Sequence, residues 1–194
     1  MDRKITLAQI EIQAKNLGIE TAALQAVIEV ECKGNGFNDD GTPVILFERH
    51  IMRRRLLNNK KSKIADEMMR KRPDLCSTTS GGYGLESVQH LKLKDAVKFD
   101  RISALESCSW GLGQVMGYHW YTLGYESIQE FINAMYKDEA SQLEAMCRYI
   151  KLNNLINALK NKDWTAFAKG YNGKNYKVNN YDTKLANAYK RFAS

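Results

Sequence analysis

The chain has 194 residues, 44% hydrophobic and 26% charged, which suits one soluble globular domain and excludes a low-complexity or fibrous chain. No apolar run approaches the roughly 20 residues that span a bilayer, and no continuous apolar stretch of a secretory leader follows the N-terminus. The formal net charge of +7 is concentrated, because residues 49–72 carry ten basic and two acidic side chains. Such a segment fits a polyanion, whether nucleic acid, anionic lipid or acidic wall polymer, and equally fits a solvated surface.

The periodicity predicts a mostly helical chain. Thr6 caps a first helix carrying Leu7, Ile10, Ala14 and Leu17, stopped at Gly18. Thr21 caps a second, in which Leu24, Val27 and Ile28 share one face. The next position on that face is Glu31, a carboxylate where an apolar side chain belongs. Gly34 and Gly36 follow and end the helix. Burial and the negative end of the helix dipole both disfavour a charged Glu31, so its pKa is expected to rise toward that of a general acid. A Glu that bends out to water or pairs with an arginine explains the same position without chemistry.

The turn signal 38–42 leads into the best strand, 43–48, with Val44, Leu46 and Glu48 on one face, and a small β-hairpin is expected there. Residues 49–80 read as irregular and basic, with short helices. Beyond them the pattern is helical throughout. Ser87 caps Val88, Leu91 and Val97. Ser109 to Met116 reads as a short helix between glycines. Ser127 and Asp138 open two further helices. Trp164, Phe167 and Ala168 form an apolar face ended at Gly170, and Asn180 precedes a last helix. The fold class expected is α-rich (α+β), with one small β-hairpin after the second helix.

Four places offer chemistry. Glu31 is the first. Glu48, at the strand end, doubles back toward the Glu31 helix, and two such carboxylates can flank a glycosidic bond. Glu48 suits a salt bridge to a nearby arginine equally well. Asp39 and Asp40, in the turn, rank behind it. In the third, Gly111 and Gly113 permit close approach and Gln114 offers both donor and acceptor to a sugar, although the same run suits tight packing. In the fourth, Tyr171 and Asn172 sit between Gly170 and Gly173, where a ring can stack on a sugar and an amide can bind it, or where a helix merely ends.

Four stretches together resemble the phage and bacterial N-acetylmuramidase family of the lysozyme-like superfamily. They are Val30-Glu31-Cys32 to Gly36-Phe37, Ile45 to His50, Ser107 to Gly117, and Asp163-Trp164 through Tyr171-Asn172-Gly173, continuing to Tyr181 to Leu185. They occur in order from about Leu24 onward. The resemblance implies a lysozyme-like helical domain over 1–194, with no separate wall-binding module. It implies hydrolysis of the β-1,4 bond between N-acetylmuramic acid and N-acetylglucosamine, with Glu31 as general acid. Gln114, Tyr171 and Asn172 would line the glycan site, and Glu48 would orient water or face positive charge. Cys32 departs from the small Ser expected at that position. No metal or cofactor is implied, and His50, His90 and His119 lack ligand spacing. The implied partner is peptidoglycan, met by a monomer made in the cytoplasm and released to the wall by a separate membrane pore. The 49–72 patch would draw it to anionic wall or outer-membrane polymer, nucleic acid being the less fitting polyanion.

Competing readings predict different products. A lytic transglycosylase with the same acid leaves 1,6-anhydro ends. A Cys-His amidase or peptidase would use Cys108 with His119, since Cys32 beside Glu31 at a helix C-terminus makes a poor nucleophile. Cys32 and Cys147 read instead as small buried hydrophobes, and no CxxC pair exists. A non-catalytic polyanion-binding module would rest on residues 49–72 alone and leave Glu31 without a purpose.

Overall fold

A computed structural model describes residues 3–32, 35–173 and 176–194, and the Cys32 side chain, expected to be buried, and Gly34, expected to end the second helix, lie outside what it describes. Helix α1 (Leu7–Leu17) has the expected capping box, in which Thr6 accepts from Gln9 N while the Gln9 side chain accepts from Thr6 N. Its C-cap is Gly18 at φ 66°, a left-handed conformation that glycine adopts without strain. Helix α2 (Thr21–Cys32) begins one residue earlier than expected. The Glu20 carbonyl accepts from Ala23 N and Leu24 N, so Thr21 is the first helical residue rather than the cap.

The hairpin region differs from expectation in its pairing. The turn over 38–42 closes, among the described residues, one isolated bridge, Phe37 to Pro43, and Val44 N donates to Gly36 O at 2.9 Å. Pro43 has no N–H with which to continue that ladder. The strand β1 (Ile45–Phe47) instead pairs antiparallel with the distant β2 (Cys108–Trp110), which pairs in turn with β3 (Val115–Met116). Ser109 to Met116 is therefore a hairpin and not a helix. Its turn holds Gly111 at φ 61° and Gln114 at φ 45°. Alternation puts Ile45, Phe47, Cys108, Trp110 and Val115 on the core face, while Val44, Leu46 and Glu48 are half-buried on the other.

Residues 49–80 are more regular than expected, because they form two ten-residue helices, α3 (Arg49–Asn58) and α4 (Ser62–Lys71). Met52, Leu56, Ala65 and Met68 give each a buried stripe that the surrounding arginines and lysines obscure in the sequence. Ser87 lies inside a 3-10 turn, Glu86–Val88, and does not cap α5 (Gln89–Val97). Asp100 caps α6 (Arg101–Glu106), accepting from Ser103 N at 2.8 Å. Ser127 and Asp138 cap α7 (Ile128–Lys137) and α8 (Glu139–Leu152), as expected.

The chain closes with α9 (Ile156–Lys160), α10 (Trp164–Asn172) and α11 (Tyr181–Ala193), and α11 lies along α2. One core joins Leu24 and Val27 of α2, Phe47, Trp110, Phe131, Leu143, Met146, Phe167 and Leu185. Among the described residues no helix is long and apolar enough to cross a membrane.

Candidate active site

Glu31 stands in the last turn of α2, half-buried, on the same stripe as the buried Leu24 and Val27. Burial pushes its carboxyl up from 4.5 to about 7. One neighbour opposes that rise: Asn172 Nδ2 donates to Glu31 Oε1 at 2.9 Å. Burial raises the hydroxyl of Tyr181, at the start of α11, above its ordinary value, and the negative charge of Glu31 adds to that rise. The carboxyl thus faces the C-terminal end of α10 and the N-terminal end of α11.

The reason lies in how α10 is built. Asp163 caps it, accepting from Ala166 N at 2.9 Å, and Phe167 and Ala168 anchor its buried face. It does not end at Gly170. A Cβ there would come within 2.4 Å of Leu155 Cδ2, so glycine serves close packing, and the helix runs one more half-turn to Asn172. Tyr171 and Asn172 consequently sit on a helix rather than in a loop. The Tyr171 ring stacks on Phe167 with centroids 5.4 Å apart, and its hydroxyl donates to Gly113 O at 2.7 Å. Asn172 reaches Glu31, and so one helix end binds both the carboxyl and the β2–β3 turn.

Gln114 belongs to that turn. Its Nε2 donates to Gly111 O at 2.9 Å and its Oε1 accepts from Ser109 Oγ at 2.8 Å, which holds a non-glycine residue at positive φ. The turn is backed by α8. Buried Gln142 accepts from Leu112 N at 2.8 Å and donates to Met135 O at 2.8 Å and Gly36 O at 3.2 Å. Buried Glu139 accepts from Gly36 N at 3.0 Å and Ile5 N at 2.9 Å. Two polar side chains of α8 therefore fix both the segment after Glu31 and the turn carrying Gln114. Neither Gly36 nor Gly111 has room for a Cβ, which would fall 2.0 Å and 2.5 Å from Gln142 atoms.

Glu48 lies at the N-cap of α3 without a side-chain capping bond. Its Oε2 is 3.5 Å from His50 Nδ1, and among the described residues no arginine pairs with it at salt-bridge distance. Burial raises its pKa, while His50, the Tyr83 hydroxyl and Arg54 act against that rise. Gln89, buried in α5, holds the surrounding backbone, accepting from Phe47 N at 2.9 Å and donating to Tyr83 O at 2.7 Å. The groups acting on Glu31 and on Glu48 do not include one another. The structure thus joins Glu31, Asn172, Tyr171 and Gln114 through direct contacts and one turn, and leaves Glu48 in its own cluster with His50 and Tyr83.

Sequence reasoning missed Gln89, Glu139 and Gln142. Each is a polar residue on an otherwise apolar helical face, the same signal that singles out Glu31. Tyr83 carried no such signal. Cys108 is wholly buried in β2, where burial and the charge of Glu48 raise its thiol well above its ordinary value, so it is not a nucleophile. His119 packs against Tyr118 and Tyr149, with centroids 4.3 Å and 5.1 Å away. Among the described residues no cluster of His, Cys, Asp or Glu is arranged to hold a metal.

A helical domain around a small sheet, with a carboxylic acid held near neutral pKa at a helix end, is the frame of a lysozyme-type glycoside hydrolase. The profile of the N-acetylmuramidase family matches residues 20–193. The crystal structure of the Burkholderia AP3 phage endolysin superposes with a TM-score of 0.91 at 42% sequence identity, covering 98% of this chain and 72% of that one. No functionally curated protein matches. The chain belongs to the N-acetylmuramidase family, and peptidoglycan is its substrate.

Proposed function

We propose that Glu31 is the general acid of this muramidase, protonating the oxygen that links N-acetylmuramic acid to N-acetylglucosamine as positive charge develops on the sugar. The observation that carries this reading is the half-buried Glu31 carboxyl at about 7, held by the Asn172 amide. A carboxyl that keeps its proton near neutral pH can give it to a leaving group, and the bond from Asn172 steadies and orients the conjugate base afterwards. Tyr171 and Gln114 shape the glycan-facing wall through the β2–β3 turn. Glu48 supplies the second carboxylate, whose raised pKa suits a base that orients the attacking water. The likeness to a phage endolysin supports release of progeny by wall lysis as the biological setting.

The two carboxylates are tested separately on purified peptidoglycan. Glu31→Gln removes the proton donor and is expected to lower kcat at least about 10³-fold, while Glu48→Gln lowers it by about 10- to 100-fold. A Glu48→Gln enzyme with wild-type kcat would remove Glu48 from the mechanism and leave Glu31 in it.

A further inference from the structure

The ten basic side chains of residues 49–72 are not one uniform surface. Arg55 pairs with buried Glu106 at 2.8 Å, Lys61 with Asp100, Lys71 with Glu67 at 2.7 Å, and Arg72 with Asp74 at 2.8 Å and Asp95 at 3.0 Å. These cations are already matched. Arg53 and Arg54 are different. Arg53 Nε meets only Met69 Sδ at 3.1 Å, Arg54 lies over the Tyr118 ring at 5.5 Å, and neither has a carboxylate at ion-pair distance among the described residues.

Arg53 and Arg54 line an open depression of about 270 Å³, together with His50, Asn58, Ser77 and Thr78. Two guanidiniums, an imidazole and two hydroxyls are a donor set for an oxyanion, and the planar fork of arginine matches a carboxylate. The depression also has a definite neighbour. The His50 ring that forms its wall is the one whose Nδ1 lies 3.5 Å from Glu48. An untethered anion drifting in would meet Glu48 across that ring. An anion covalently attached to the molecule under cleavage would arrive at high effective concentration.

We propose that this depression binds a carboxylate of the acidic peptide stem that muramic acid carries, so that the enzyme reads the stem while cutting the glycan. The proposal rests on the muramidase reading above, and within it on the placement of Glu48 beside the scissile sugar. Within residues 49–72, Arg53 and Arg54 then recognise one substituent of the substrate, while the paired cations hold the fold. The Leu57 side chain at the rim offers apolar contact for the stem backbone.

The test compares stem-bearing glycan strands with strands stripped of stems by an amidase, using wild type and the double variant Arg53→Gln/Arg54→Gln. Wild type is expected to cleave the stem-bearing strand with the higher kcat/KM. In the double variant that value falls about 10- to 100-fold, a loss the size of one or two charge-assisted hydrogen bonds, while cleavage of the stripped strand falls far less, by what removal of the Arg54 charge does to Glu48, and an unchanged thermal unfolding midpoint reports an intact fold. Amidating the stem carboxylates should impose the same loss on wild type. An equal fall on both strands would overturn the proposal, because the arginines would then act through general charge or stability. No fall on either would overturn it as well. Wild type releasing no reducing muramic acid ends from either strand would defeat the muramidase reading itself, and the stem pocket with it.

Discussion

As the proposed general acid, Glu31 would turn burial into reactivity. Placing a carboxyl on the core side of α2 costs free energy only in the charged form, so the proton stays on up to about pH 7. In the proposed role Glu31 must hold that proton to work, and kcat is then expected to fall as pH rises through about 7. The same shift acts on stability. The folded state binds the proton more tightly than the unfolded chain, so the contribution is full below about 4.5 and is lost as pH rises through about 7. Glu31→Gln should therefore be more stable than wild type at pH 9, by about 1–3 kcal/mol after allowing for partial exposure, and match it at pH 4. Urea unfolding at the two pH values checks this, and equal stability at pH 9 would contradict it. Asn172 donates to the charged form. Asn172→Ala should move the alkaline limb of kcat to higher pH and lower its plateau, which a pH–rate profile measures directly.

At the scale of elements, α8 positions the site without touching it. Gln142 and Glu139 bind the segment after α2 and the β2–β3 turn from one helix face. Gln142→Ala would leave the buried Leu112 N and the Gly36 and Met135 carbonyls without that partner, costing about 2–4 kcal/mol and loosening both walls. Denaturant unfolding reads the first effect, and a raised KM for peptidoglycan reads the second. This network also explains where the sequence misleads. The stripes of α1, α7, α8 and α11 are legible because apolar spacing and caps such as Thr6, Ser127 and Asp138 act locally. The Ser109–Met116 hairpin is not legible, because its turn is held at Leu112 by Gln142, 30 positions further along the chain and invisible to local periodicity. The strand 43–48 was legible as a strand, but its partner β2 lies far along the chain. The odd position of Glu31 was legible because a charge interrupts a strong stripe, whereas the placement of Tyr171 and Asn172 on a helix end beside it needed the packing of α10.

For the whole molecule, the net charge of +7 divides into cations that hold the fold and cations that face outward. Arg55 is of the first kind. Glu106 is buried, accepts from Arg55 Nε at 2.8 Å and from Trp120 Nε1 at 3.1 Å, and ties α3 to α6 and to the segment beyond β3. Arg55→Ala leaves that buried carboxylate without its cation and should destabilise the protein by about 2–4 kcal/mol, while Arg53→Ala, at a site with no carboxylate partner among the described residues, should stay within about 0.5–1 kcal/mol of wild type. Thermal unfolding of the two variants separates them, and equal destabilisation would contradict the division. Charge reversal across Arg53, Arg54 and Arg55 together would confound wall attraction with unfolding, which the sequence alone could not reveal.

The most direct test of the central claim is digestion of purified peptidoglycan by wild type and Glu31→Gln, with the products identified by mass spectrometry. Reducing muramic acid ends from wild type, absent from the Glu31→Gln digest, are the predicted result. Anhydro-muramic ends, cut stem peptides on intact glycan, or identical digests from the two proteins would contradict it.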